Sequence, residues 1–508
     1  MNNLKQAILN HQKKNFIEAK KYYEAHLFEH KGDYDAQSNL SILFYEMGNF
    51  NDAIKLISKT IEIDPNNIKY LNTRAYFYFL QKNYDQSIYD YVRITKIYPN
   101  HVESLNNIGR AYNRKLEFQT AIIFFDQAIK INNKKYYFFY NRGIAYLKLN
   151  NFQEAIHNFK ISITLNPNHN KSYHNLAIAH EELLNIEEAA KNYEKSIELN
   201  PNFYDSYLGL ALNYLLKGNY PVGWRLHEYR SKLGLLNNEN LIGKKWVGED
   251  LPDNKKLLIY HEQGLGDTIQ FCRYLKLLSK KKFKVIFQVQ KPLVNLMNSL
   301  DCDIEITSQP SNVLKYDFHC ALMSLPLIFK TTTQNIPTFD YYLKASKEKI
   351  EKWNKILGKK NKLRVGLAWR GNPKNQNNKK RSYEIAKNIS LFNDKFEWLS
   401  LHNDHSKSEK EILNKFNVKN LEELQSDYDD VAAICHLVDC VITVDTSYAH
   451  LAGALGKKTL LLLPYSPDFR WFINKNFSPW YSSIKIFRQS NKFLWKEVIL
   501  DAINSIKR

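Results

Sequence analysis

The stretch from Val441 to Gly456 carries residues whose types and order suit a diphosphate. Val441-Ile442-Thr443-Val444 reads as a short buried strand, Asp445-Thr446-Ser447 as a sharp turn, and Tyr448 onward as a helix that Gly456 stops. Thr459–Leu463, ended by Pro464, is a second apolar strand, so the whole is a βαβ unit with parallel pairing and a right-handed crossover. Such a helix opens at the carboxyl edge of the sheet, where α/β proteins bind ligands. Its unpaired N–H groups, with the hydroxyls of Thr446 and Ser447, suit a phosphate. His450 returns to the same helical face and either adds a charge-assisted donor or fixes the turn by a hydrogen bond. A phosphate would repel Asp445, whose expected partners are sugar or ribose hydroxyls or a structural cap. The expectation is a nucleotide-diphosphate site.

Two further clusters follow strands. Lys256–Tyr260 is apolar and leads into His261-Glu262-Gln263-Gly264-Leu265-Gly266-Asp267. Gly264 and Gly266 permit a tight turn and close approach of a ligand, and Glu262 and Gln263 stand where they could touch donor or acceptor. Asp267 is either a general base or an ordinary helix N-cap before Thr268-Ile269-Gln270. Arg370 follows the strand Arg364–Trp369, and with Arg381 and Ser382 it could clamp a phosphate. Between them lies the polar loop Lys374–Lys380. Asp301-Cys302-Asp303 has the form of a D-x-D metal signature but falls at a helix-to-strand turn away from both glycine loops. No G-x-S-x-G elbow precedes a helix, which argues against a hydrolase.

The elements that must position these residues form two tandem nucleotide-binding-type units. The first runs through strands Lys256–Tyr260, Val285–Val289 and Asp303–Thr307, and the second through Arg364–Trp369, Phe396–Leu401, Cys440–Val444 and Thr459–Leu463. Two such Rossmann-like units facing across a cleft describe the GT-B fold. Expected boundaries are 256–345 for the acceptor-side unit and 346–508 for the nucleotide-sugar side. An ordered connector is expected over 235–255, since Trp246 and Leu251 need burial.

Residues 1–234 read as an α-solenoid. Phe16, Phe50, Tyr84, Phe118, Phe152, Ile186 and Tyr220 recur every 34 residues, each followed three positions later by a small side chain. Ala7, Ser41, Ala75, Gly109, Gly143, Ala177 and Ala211 keep the same interval. Small residues let paired helices approach, and rings three positions later fill the gap to the next pair. His180 and the run Tyr136–Tyr140 fall in this register and read as packing. The array resembles tetratricopeptide repeats, about seven helix pairs, which implies a groove that binds peptides or proteins.

A net charge of +20 favours acidic partners, although no nucleic-acid module is recognisable. Five scattered cysteines without C-x-x-C indicate neither a disulfide framework nor a zinc site, and suit a reducing cytoplasm. There is no apolar signal core and no membrane span, which leaves peripheral membrane contact open.

Glu262–Phe271, Gly366–Pro373, Val444–Gly456 and Leu463–Trp471 together resemble glycosyltransferase family 9, which includes the ADP-heptose:lipopolysaccharide heptosyltransferases. The resemblance implies inverting transfer from a nucleotide sugar without an obligatory metal or other cofactor. It favours Asp267 as the base and adds Asn372 to the donor-binding set of Arg370, Arg381, Ser382, Asp445, Thr446, Ser447 and His450. The loop Lys374–Lys380 departs from the family pattern, which has a His and an Asp near Asn375 and Asn378. That departure motivates the alternative, a non-catalytic repeat scaffold with a degenerate GT-B half.

Overall fold

The structure, a computed structural model, describes residues 3–236, 241–372, 378–490 and 494–506. Residues Lys374–Asn377 of the polar loop therefore lie outside the described residues. The chain divides into two compact units, Met1–Asn200 and Pro201–Arg508.

In the first unit helices alternate in antiparallel pairs, from Asn3–Gln12 with Phe16–Glu29 to Asn170–Glu182 with Ile186–Leu199. Ala7, Ala19, Ala53, Ala75, Ala121, Ala155, Ala177 and Ala189 are completely buried, as close helix approach requires. Gly109 and Gly143 go further. A Cβ on either would stand 2.6 and 2.7 Å from the rings of Phe125 and Phe159. The turn inside each pair closes with a left-handed residue, again every 34 positions: Lys14, Gly48, Lys82, Leu116, Asn150, Leu184 and Gly218. The N–H of the next residue then bonds back into the first helix, as Glu117 does to the Tyr112 carbonyl. Only two of the seven are glycine. Leu116, at φ 65° and 74% exposed, bears backbone strain without compensating burial. Leu116→Gly is expected to stabilise this unit by about 1 kcal/mol, read as a rise in thermal midpoint; an unchanged or lower midpoint would show the turn to be relaxed already.

The second unit begins with the seventh pair, Tyr204–Leu216 and Tyr220–His227, and a 3₁₀ turn Glu228–Leu233. The expected domain boundary at 234 therefore does not coincide with the division of the fold. The reason is aromatic packing: Trp224 meets Phe271 and Phe469 edge-on at 5.8 Å, and Tyr220 stacks with Phe472 and Trp480 at 6.0 Å. Both rings are buried.

Two five-stranded sheets follow, parallel throughout. The first contains β1 (Lys244–Lys245), β2 (Lys256–Tyr260), β3 (Lys284–Gln288), β4 (Glu305–Thr307) and β5 (Phe318–Ala321), in the order β1-β5-β2-β3-β4. The second contains β6 (Leu363–Ala368), β7 (Phe396–Ser400), β8 (Cys440–Val444), β9 (Thr459–Leu463) and β10 (Ile484–Arg488), in the order β10-β9-β8-β6-β7. The segment 235–255 supplies edge strand β1, and within it Trp246 and Leu251 are buried. Strands β8 and β9 are buried along their whole length, as apolar runs in a covered parallel sheet should be. No helix among the described residues is long and apolar enough to cross a membrane.

Candidate functional site

Strand order decides where a ligand can sit. In the first sheet the chain passes from β2 to β3 on one side and later returns to β5 on the other; in the second it passes from β6 to β7 and returns to β8. The reversal opens a crevice at the carboxyl ends of β2/β5 and of β6/β8. The segments leaving those ends are His261–Asp267, Trp369–Gly371 and Asp445–Ser447, which are the clusters singled out by residue type.

The first and last of these touch. Gly266 lies so close to helix Ser447–Ala454 that an added Cβ would be 2.9 Å from His450 Cδ2 and 3.3 Å from Ser447 Cα. The expected gap between the two turns is closed at this point by direct contact. Gly266→Ala must push apart a ring and a backbone, at about 1–3 kcal/mol. A fall in the unit's melting temperature, with weakened binding of any ligand at this junction, is the expected result; a variant as stable as the parent would mean the contact yields freely.

The turn before Gly266 differs from expectation in two respects. The left-handed residue is Gln263, at φ 57°, while Gly264 has an ordinary extended backbone. Glu262 faces inward, completely buried, and receives the Nε and Nη2 of Arg230 at 2.7 and 2.9 Å and the Met323 N–H at 2.9 Å. Glu262, expected to touch donor or acceptor, is engaged here as a structural anchor. Gln263 is exposed beside it.

Helix Leu265–Phe271 starts earlier than the sequence suggests, so Asp267 is its third residue and not its N-cap. Its Oδ2 accepts the Gly264 N–H at 2.9 Å, reaching back as an acidic third residue does. Its Oδ1 accepts from Nη2 of Arg470, which arrives from the segment after β9. Arg470 also donates to Asp468 and to Gln270, both at 2.7 Å, and lies 4.3 Å over the Phe469 ring. Burial pushes the Asp267 carboxyl up, while Arg470, the Gly264 N–H and Arg381 pull it back. Asp445, which is buried, is pushed up to about 6 by burial and by the charge of Asp468, against Arg381 and Arg470.

At the phosphate-type end, Thr446 is the N-cap of helix Ser447–Ala454, and Gly456, at φ 67°, follows its C-terminus. Ser447 Oγ shares a 2.6 Å hydrogen bond with Tyr428 Oη. His450 is buried, its Nδ1 lies 3.0 Å from Tyr481 Oη, and its ring stacks on Trp471 at 5.3 Å. Burial, and then Arg470, Arg273 and Arg381, hold its pKa well below the usual range. His450 is therefore neutral and offers no positive charge to a phosphate; its ring is held by Tyr481 and Trp471. Gly453 packs on the Tyr481 ring, where a Cβ would be 2.5 Å away.

Arg370 is engaged elsewhere. Its Nε donates to Glu409 at 3.0 Å, its Nη1 to Asp404 at 3.0 Å and its Nη2 to the Asp404 carbonyl at 2.8 Å. Arg370, with the Ser406 N–H and the Trp369 indole, holds Glu409 down at about 2 against its burial. Arg370, expected to clamp phosphate, is thus engaged by carboxylates, and Arg381 stands at the junction with Arg470. Arg381 lies beside Gly371, its Nε is buried without a partner among the described residues, and its charge reaches Asp267, Asp445 and His450. Ser382 Oγ donates to Asn378 Oδ1 at 2.7 Å, and both oxygens receive the Gly371 N–H. Ser382 therefore shapes the loop. Asn372 is exposed. Asp301 and Asp303 are exposed at a bend, and no group of three His, Cys, Asp or Glu among the described residues could hold a metal ion.

Sequence reasoning gave no role to Arg470, Trp471, Gln270 or Arg230. Arg470 and Asp267 are 203 residues apart, and only the resemblance of the segment Leu463–Trp471 signalled that it belongs to the site.

Comparison with known proteins identifies the helical array. Tetratricopeptide repeat family models match residues 102–135, 136–169 and 171–203. Protein FlbA of Caulobacter vibrioides is 25% identical over 320 residues, covering 56% of this chain and 51% of its own. The chain thus spans about half the length of the curated relative it matches. Among solved structures, a tetratricopeptide repeat protein from Parabacteroides merdae is 18% identical over 47% of this chain and 93% of its own, with a TM-score of 0.40. MamA is 24% identical over 31% of this chain and 94% of its own, with a TM-score of 0.29. YrrB, described as a TPR protein with an unusual peptide-binding site, is 15% identical over 36% of this chain and 95% of its own, with a TM-score of 0.31.

Proposed function

We propose that Pro201–Arg508 is an inverting glycosyltransferase of the GT-B type, similar to glycosyltransferase family 9, that takes its sugar from a nucleotide-diphosphate sugar. The observation that carries this reading is the meeting of two carboxyl-edge segments, one bearing the half-buried carboxylate of Asp267 and the other a helix N-terminus, with Arg381 beside them. In the reaction, Asp267 removes the proton of an acceptor hydroxyl, and that oxygen bonds to the anomeric carbon as the bond to the diphosphate breaks. Thr446, the first-turn N–H groups of helix Ser447–Ala454 and Arg381 stabilise the departing diphosphate. The tetratricopeptide array recruits a protein or glycan acceptor, since such repeats generally mediate protein–protein interaction. The five free cysteines suit a reducing cytosol.

Calorimetric titration of the full chain with a panel of nucleotide sugars, followed by mass spectrometry of the products, tests the reading. At least one donor should bind and yield a glycosidic product. If no member of the panel binds, the proposal is wrong. One observation favours a second reading, a repeat scaffold with a degenerate GT-B half: the guanidinium of Arg370, expected to clamp phosphate, is saturated by Asp404 and Glu409. Partner capture through the repeats with no sugar transfer to any acceptor would decide for the scaffold.

A further inference from the structure

Arg470 is nearly buried and bridges two residues one turn apart on helix Leu265–Phe271, Asp267 and Gln270. It is itself held by Asp468 and by the Phe469 ring, so its guanidinium has little freedom. We propose that Arg470 is the positioning residue of Asp267: it fixes the carboxylate's orientation and stands as the counter-charge that keeps it ionised inside a buried junction. This rests on the glycosyltransferase reading of the same site.

The geometry supports it in two ways. Each carboxylate oxygen receives one hydrogen bond, from Gly264 on one side and Arg470 on the other. About half of the carboxylate's lone-pair sites remain open to accept a proton. The anchor also comes from the segment after β9, in the sheet that carries the candidate donor site, so the carboxylate is referenced to that sheet as well as to its own helix. The charged groups facing Asp267 are Arg470, Arg381 and Asp468; Arg470 and Arg381 favour its ionised form and Asp468 opposes it. Asp445 draws on the same two arginines, and His450 beside Gly266 is neutral.

The test uses full-length Arg470→Gln and Arg470→Lys. The acid limb of the pH profile of kcat/KM should move up by about one pH unit or more in the Gln variant and lie near the parent's in the Lys variant, with donor KM changed less than about threefold. A second measurement needs no activity. Ionising a half-buried carboxyl whose native pKa is raised costs stability, so this contribution favours the fold below the ordinary carboxylate range and is lost as pH rises through the native pKa. Asp267→Asn lacks the step, and subtracting its stability curve from the parent's locates the native titration. Repeating the subtraction in the Arg470→Gln background should place the step at higher pH. A limb and step that stay put in a folded Gln variant overturn the proposal. So does a tenfold rise in donor KM with an unmoved limb, which would make Arg470 a phosphate ligand. A step that moves in a protein that transfers no sugar leaves Arg470 as the anchor of Asp267 and removes the enzymatic reading alone.

Discussion

Asp267→Asn in the full chain is expected to lower sugar transfer by about 10²–10⁴-fold while leaving donor binding nearly intact. Asparagine keeps the shape and can still accept the Gly264 N–H, so the start of helix Leu265–Phe271 is preserved. What disappears is the charge and basicity needed to take a proton. The variant also loses the ion pair with Arg470, which keeps Asp468 as a partner and so is not left unpaired. Steady-state kinetics alongside calorimetric donor binding separates the two effects. Transfer within threefold of the parent would place the base elsewhere.

Arg230→Met should be the most destabilising single change in the α/β unit, at about 3–5 kcal/mol. Arg230 is 1% exposed and its fork meets both oxygens of Glu262, which is 0% exposed. Removing the arginine leaves Glu262, among the described residues, with the Met323 N–H, while Glu228, which Arg230 also meets at 2.7 Å, keeps Ser324 and Lys245. The double variant Arg230→Met/Glu262→Met, which removes both charges and keeps the volume, should recover most of the loss. Denaturant midpoints of the two variants test this: a single variant within 1 kcal/mol of the parent, or a double variant no better than the single, would contradict the argument. Because Gln263 holds its left-handed backbone directly after Glu262, the single variant should also loosen the turn that presents Asp267.

The repeats were legible because their spacing is a packing requirement: a small residue every 34 positions has one physical use. The carboxyl-edge placement of Thr446 and Ser447 was legible for a similar reason, since an apolar strand, a hydroxyl turn and a helix within 24 residues leave little topological choice. Long-range pairings were not legible. Glu262 looked like a ligand because its turn is glycine-rich, and nothing near it announces Arg230, 32 residues earlier on the last repeat. Arg370 looked free because Asp404 comes from the loop after the next strand and Glu409 from the helix Lys407–Lys415 beyond it. Strand β5 escaped because Phe318-His319-Cys320-Ala321 has neither an apolar run nor clean alternation. The division at Asn200 escaped because the periodicity continues through it, while Trp224 and Tyr220 find their partners far down the chain.

The seventh helix pair has an evolutionary corollary. Its rings belong to the hydrophobic interior of the α/β unit, so this pair is tied to that unit while sharing the 34-residue period of the pairs before residue 200. Descendants of this chain could gain or lose pairs before residue 200 in whole 34-residue steps while the seventh pair stays with the downstream unit.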